Sequence, residues 1–142
     1  MKIKTIAMYL PQFHRTREND EWWGTGFTDW ISAQNAEKYD KEQVQPRVPL
    51  NHNYYNLLDR ETMLWQANLA KKYSIYGFAF YHYWFSKGRK ILEKPAKNLL
   101  RWKDVDMHFC FSWANVTWAR SWSKLANINT WTDINEAYNK ND

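Results

Sequence analysis

The side chains able to do chemistry in this sequence recur where an α/β protein would hold a ligand. Gln12 and His14 follow the apolar run Ile3 to Leu10, and Glu21, Trp22, Trp23 and Asp29 cluster in the long connection after it. Tyr81, His82 and Trp84 close the aromatic run Ile75 to Phe85, and Trp113, Asn115, Trp118 and Arg120 lie at and beyond the run His108 to Trp113. Indole and phenol planes beside carboxylates, amides and imidazoles suit a sugar, whose C–H faces stack on rings and whose hydroxyls need hydrogen-bond partners. No spacing among them is a catalytic motif by itself. Taken singly, each also has a structural use. His14 and His82 serve as core or cap histidines, and one of Trp22 and Trp23 packs beneath its loop. Asp20, Glu21 and Asp29 serve as solvated carboxylates or caps, Asn115 as a turn former and Arg120 as cover for apolar surface. Their recurrence at strand ends is what argues for a site.

The element that must position them is Ile75 to Phe85, IYGFAFYHYWF. An aromatic run of this kind, preceded by a helical pattern and followed by Gly88, reads as a strand buried on both faces, and so as part of a parallel sheet under helices. Ile3 to Leu10 reads as an earlier, short buried strand stopped by Pro11, and His108 to Trp113 as a later one. Residues 15–58 form a long connection with a short helix from about Thr28 to Lys38 and an extended stretch from Gln45 to Pro49; connections of this length are usually functional. A clearer helix starts at the N-cap Asp59, with Glu61 in its first turn, Met63, Ala67 and Ala70 on one stripe, and Lys71 and Lys72 at its end. A further helix spans Glu93 to Trp102, with Pro95 tolerable in its first turn. The tail from Thr132 to Asp142 is weakly helical and then polar. Strand-then-helix units in succession imply a parallel α/β sheet, and ligands bind beyond the carboxyl ends of such strands.

Composition narrows the function classes. The 142 residues suffice for one domain with a core, and ten Trp, nine Tyr and seven Phe exceed what such a core needs, so some rings are expected to line a site. The net charge of +5 is spread along the chain with no basic run to track a phosphate backbone. Arg120 is the one cation in the strand-end motifs, which ranks a single-stranded nucleic-acid binder last. Cys110, the single cysteine, stands in the run Phe109-Cys110-Phe111 and reads as a buried core thiol, with neither disulfide nor metal-ligand spacing. No cofactor or metal is expected. The run Thr5 to Leu10 is too short for a signal-peptide core or a membrane span, and a cytoplasmic protein is expected.

Four long runs carry a family resemblance: Tyr9-Leu10-Pro11-Gln12-Phe13-His14; Glu18-Asn19-Asp20-Glu21-Trp22-Trp23-Gly24 with Gly26-Phe27-Thr28-Asp29-Trp30; Tyr76-Gly77-Phe78 through Tyr81-His82-Tyr83-Trp84-Phe85; and Trp113-Ala114-Asn115 with Trp118, Arg120 and Trp122. They resemble the WbsX-type family of bacterial polysaccharide-biosynthesis proteins, described as glycosyltransferases and as similar to glycoside hydrolase family 99. The resemblance covers nearly the whole chain in order. It implies a glycan or sugar substrate and an α/β fold, the N-terminal portion (about three β/α units) of a (β/α)8 TIM-type barrel. Residues 1–142 would then be an incomplete glycan-active barrel domain, since such a barrel needs about 250 residues.

On this reading Trp22, Trp23, Trp84, Trp113 and Trp118 are stacking platforms, Gln12, His14, Glu21, Asp29, His82, Asn115 and Arg120 orient hydroxyls, and Tyr81 lines the same face. The catalytic carboxylates are expected beyond Asp142, so the chain alone would be inactive, and its open strand edges would favour self-association. Val116 stands where the family usually has a Glu, and Ser74 where a Gly commonly ends the helix. The competing class is a self-sufficient carbohydrate-binding module with a closed fold.

Overall fold

The computed structural model describes residues 3–114. Its centre is a sheet in which β2 (Ile75–Trp84) is flanked by β1 (Thr5–Tyr9) and β4 (His108–Trp113), both parallel to it. The two-residue β3 (Lys90–Ile91) folds back antiparallel on the end of β2, with Tyr83 opposite Ile91 and Trp84 opposite Lys90. The connection from β1 to β2 carries α1 (Arg17–Trp23), α2 (Asp29–Gln34) and α3 (Arg60–Lys72), and that from β2 to β4 carries β3 and α4 (Lys94–Arg101). The fold is mixed α/β, as the strand and helix patterns imply.

The helices form for identifiable local reasons. Thr16 caps α1, its hydroxyl accepting the Asn19 amide at 3.0 Å, and Glu18 and Asp20 place negative charge on the helix's positive end. This helix was not evident from apolar periodicity. The helix expected over Thr28 to Lys38 ends at Gln34. In α3, Met63, Ala67 and Ala70 are buried at helical spacing and Lys71 and Lys72 close the last turn. Asp59 occupies the N-cap of α3 without a side-chain capping bond. Ser74 follows that helix with φ 59, a left-handed conformation that glycine adopts at no steric cost. Pro95 sits in the first turn of α4, which buries Pro95, Ala96 and Leu99.

Helices α3 and α4 cover one face of the sheet. Phe78 and Phe80 from β2 pack there with Leu57, Met63, Ala67, Ala70, Ala96, Leu99, Val105 and Met107, flanked by Ala7, Tyr9 and Phe109. The other face differs from expectation. Ile6 and Met8 are 50% and 56% exposed, and Cys110, which shares their face through the register Met8, Ala79, Cys110, is exposed as well. The first strand is therefore half-buried on one face and exposed on the other, and Cys110 is a surface thiol. The reason is coverage: α3 and α4 pack on the opposite face, and α1 reaches this side only at the strand's end, where Trp22 meets the Tyr83 group, so an apolar sequence pattern in β1 does not translate into burial.

No helix among the described residues is long and apolar enough to cross a membrane.

Candidate functional site

Because β1, β2 and β4 are parallel, their carboxyl ends lie together, and the residues after them converge. Side chains alternate along a strand, so Tyr81 and Tyr83 share one face of β2, while His82 and Trp84 share the other. The Tyr81 and Tyr83 rings are stacked with centroids 6.5 Å apart. Tyr83 is buried with Ile91 and Leu92, and Trp22, Tyr81, Phe85 and Ala114 pack around that group. From the loop after β1, Gln12 Nε2 donates to the Tyr83 hydroxyl at 3.4 Å.

Asp29 opens α2 and is half-buried. Burial pushes its carboxyl up to about 6, against a weaker opposing effect of its own backbone N–H. The Tyr83 phenol is also pushed up, first by burial, with the Asp29 charge adding to it, and the bond from Gln12 works the other way. The phenol therefore stays protonated at neutral pH. A carboxyl and a phenol that feel each other, with an amide and a ring wall alongside, form a surface suited to a polyol with an apolar side.

The rim is tied down by ion pairs. Asp20 binds the Arg15 guanidinium at 2.7 Å and accepts the Gly26 amide at 2.8 Å, which holds the turn between α1 and α2. Arg89, from the β2–β3 hairpin, contacts Glu18 at 3.2 Å and lies 5.9 Å from the centre of the Trp22 ring. Trp30 donates its indole N–H to the Tyr55 carbonyl at 2.9 Å and packs 4.5 Å from Phe13, anchoring α2 to the loop after β1.

The structure separates residues that the sequence places together. Gln12, Trp22 and Tyr81 meet on the Tyr83 side, and the Asp29 charge is felt by the Tyr83 phenol. His82 lies on the opposite face, 4.9 Å from Phe111 and 5.9 Å from Trp84, and Trp113 is its register partner on β4. Burial and then the nearby Lys90 lower the His82 pKa, with Glu93 opposing. Trp84 and Trp113 are 50% and 68% exposed. Trp23 stacks on Phe27 at 5.6 Å, and Glu21 is exposed on α1.

His14 is 1% exposed, and among the described residues neither ring nitrogen meets hydrogen-bond geometry, although the Pro11 carbonyl lies near the ring. Burial, with the Lys94 charge adding to it, pushes it down to about 4, against the Pro11 carbonyl and Glu93. It is a neutral histidine beneath the surface of the site. Asn115, Trp118 and Arg120 lie outside the described residues. Tyr83 and Arg89 are additions that the sequence reading did not place in the site; strand alternation from Tyr81 would have found the first, and nothing in local spacing finds the second. Among the described residues no three His, Cys, Asp or Glu side chains are grouped to hold a metal ion.

Comparison with known proteins bears on this arrangement. Two proteins of Xanthomonas campestris pv. campestris, from strains B100 and ATCC 33913 and both described as uncharacterized protein WxcX, are each 41% identical to the chain over 117 residues. Those matches cover 82% of the chain and 17% of either relative's length. No solved structure matches the chain. The model of the family described as Glycosyltransferase WbsX matches residues 5–142, which include every residue of the site, and the chain belongs to that family.

Proposed function

We propose that this chain supplies part of the sugar-binding face of a glycan-active enzyme of bacterial polysaccharide synthesis or processing, within a (β/α)8-type barrel. The observation that carries the reading is the convergence of Gln12, Asp29, Tyr81 and Tyr83, walled by Trp22, at the carboxyl ends of parallel strands. Tyr83 and Gln12 would bond hydroxyls, Asp29 would accept from a hydroxyl when ionised, and the rings would meet the C–H face of the sugar. The strands β1, β2 and β4 follow one another across the sheet, an order that a barrel shares with either half of a doubly wound fold. The half-exposed Ile6 and Met8 favour a barrel interior over a closed, self-sufficient binding module.

Calorimetric titration with hexoses and O-antigen-type oligosaccharides tests the reading. Binding is expected to weaken about three- to tenfold in Tyr83→Phe, which loses one hydroxyl, and at least as much in Asp29→Asn. Absence of binding to the whole panel, or equal affinity in both variants, would overturn it.

A further inference from the structure

The hairpin joining β2 to β3 carries chemistry that sugar binding does not use. Lys87, Arg89 and Lys90 fall within four positions, and residues 86–92 include no acid. The turn is tight: Phe85 N–H donates to the Arg89 carbonyl at 2.8 Å, and Lys87 and Gly88 are both left-handed, with φ 55 and 72. Its two basic arms are held differently. Arg89 is drawn toward the site by Glu18 and Trp22. Lys90 lies opposite Trp84 in the register, its ammonium 4.1 Å from the indole centre.

The carboxylates nearby are already engaged. Glu18 pairs with Arg89 and Glu93 with Lys97 at 3.1 Å, and no ion pair to a described residue accounts for Lys87, Lys90 or Lys94. The surplus positive charge is felt by both histidines at this end, since Lys94 disfavours charge on His14 and Lys90 disfavours it on His82. Arg89 lies over Trp22, Trp22 packs on the Tyr83 group, and Tyr83 takes the Gln12 bond, so the hairpin reaches the sugar surface through Arg89, with Lys90 on the Trp84 side.

We infer that this hairpin, through Lys87, Arg89 and Lys90, binds the diphosphate of an activated sugar donor whose sugar occupies the Tyr83 surface. The inference rests on the glycan-active reading and names its donor class. In glycosyl transfer the bond from the anomeric carbon to the phosphate oxygen breaks and its electron pair leaves with the diphosphate. The acceptor hydroxyl oxygen bonds that carbon and gives its proton to a base. Cations at the leaving oxygen stabilise the charge that develops there. A guanidinium fork recognises phosphate oxygens in pairs, and ammonium groups on the same hairpin add point charges.

The test is calorimetry on the full chain with pyrophosphate, UDP, geranyl diphosphate and glucose as separate probes. Pyrophosphate is expected to bind, with affinity falling as salt rises and at least about tenfold weaker in the Lys87→Gln/Lys90→Gln double variant. Lys72→Gln, at the opposite end of the sheet, is the control and should match the parent. UDP binding tighter than geranyl diphosphate assigns a nucleotide-linked donor, and the reverse order a lipid-linked one. No pyrophosphate binding, or equal binding in the double variant, overturns the hairpin site while leaving the sugar surface standing. Retained pyrophosphate binding with no sugar binding by any probe overturns the donor assignment and the glycan reading together.

Discussion

Gly77 of β2 and His108 of β4 are packed so closely that a Cβ on Gly77 would stand 2.5 Å from the His108 carbonyl oxygen. The contact is with backbone, so no side-chain rotation relieves it. Gly77→Ala must push β4 away from β2 and is expected to lower stability by roughly 1–3 kcal/mol, as other overpacking changes do. Urea denaturation checks this, and a stability equal to the parent's would show that the strands spread without cost.

Asp29 sets one half of the pH response. Its carboxyl is pushed from 3.8 to about 6 on folding. Between those values the folded state holds the proton more tightly, so this group's contribution falls as pH rises through the window and is unfavourable above it. Partial solvent screening brings the effect to about 1–2 kcal/mol. Asp29→Asn should therefore be more stable than the parent at pH 7 while binding sugar less well. Lower stability at pH 7 would contradict the burial that defines this residue.

His14 works in the other direction. It is pushed from 6.5 to about 4 on folding, so stability is fully present above 6.5 and is lost as pH falls toward 4. The loss amounts to about 2–3 kcal/mol. The His14 and Asp29 windows overlap with opposite signs, so the parent should show a shallow stability profile between pH 4 and 6. His14→Leu should expose the Asp29 slope and Asp29→Asn the His14 slope. Parallel profiles for the two variants in thermal melts across that range would refute the pair of assignments.

Cys110 is the chain's single thiol and is exposed on the less covered face of the sheet. Ellman's reagent should titrate one thiol within minutes under native conditions. A thiol that reacts only in denaturant would return Cys110 to the core. The same face carries Ile6 and Met8, and Met8→Lys should reduce self-association seen by light scattering.

The elements readable in the sequence are those whose stability comes from a repeating apolar pattern. β2 and β4 appear where the aromatic runs place them, and α3 appears under the Met63, Ala67, Ala70 stripe. α1 escaped because its support is a Thr16 cap and acidic first-turn residues rather than an apolar face. β3 is two residues long and exists by pairing with Tyr83 and Trp84, which no local pattern announces. Within the site, Gln12 and Tyr81 were legible from their places at strand ends. His82 and Trp84 were grouped with them because sequence proximity conceals which side of the sheet a residue faces. Arg89 owes its position to Glu18, 71 residues earlier in the chain.

The two ring sets at the end of β2 are separated by parity and not by distance. Tyr81 and Tyr83 occupy odd positions and His82 and Trp84 even ones, with Gly77 holding the register against β4 below them. Inserting or deleting one residue between Gly77 and Tyr81 would exchange the sets, turning the phenols toward the helix side and the imidazole toward Gln12. A two-residue change would restore the arrangement. The strand can therefore vary in length only by even steps without inverting its chemistry.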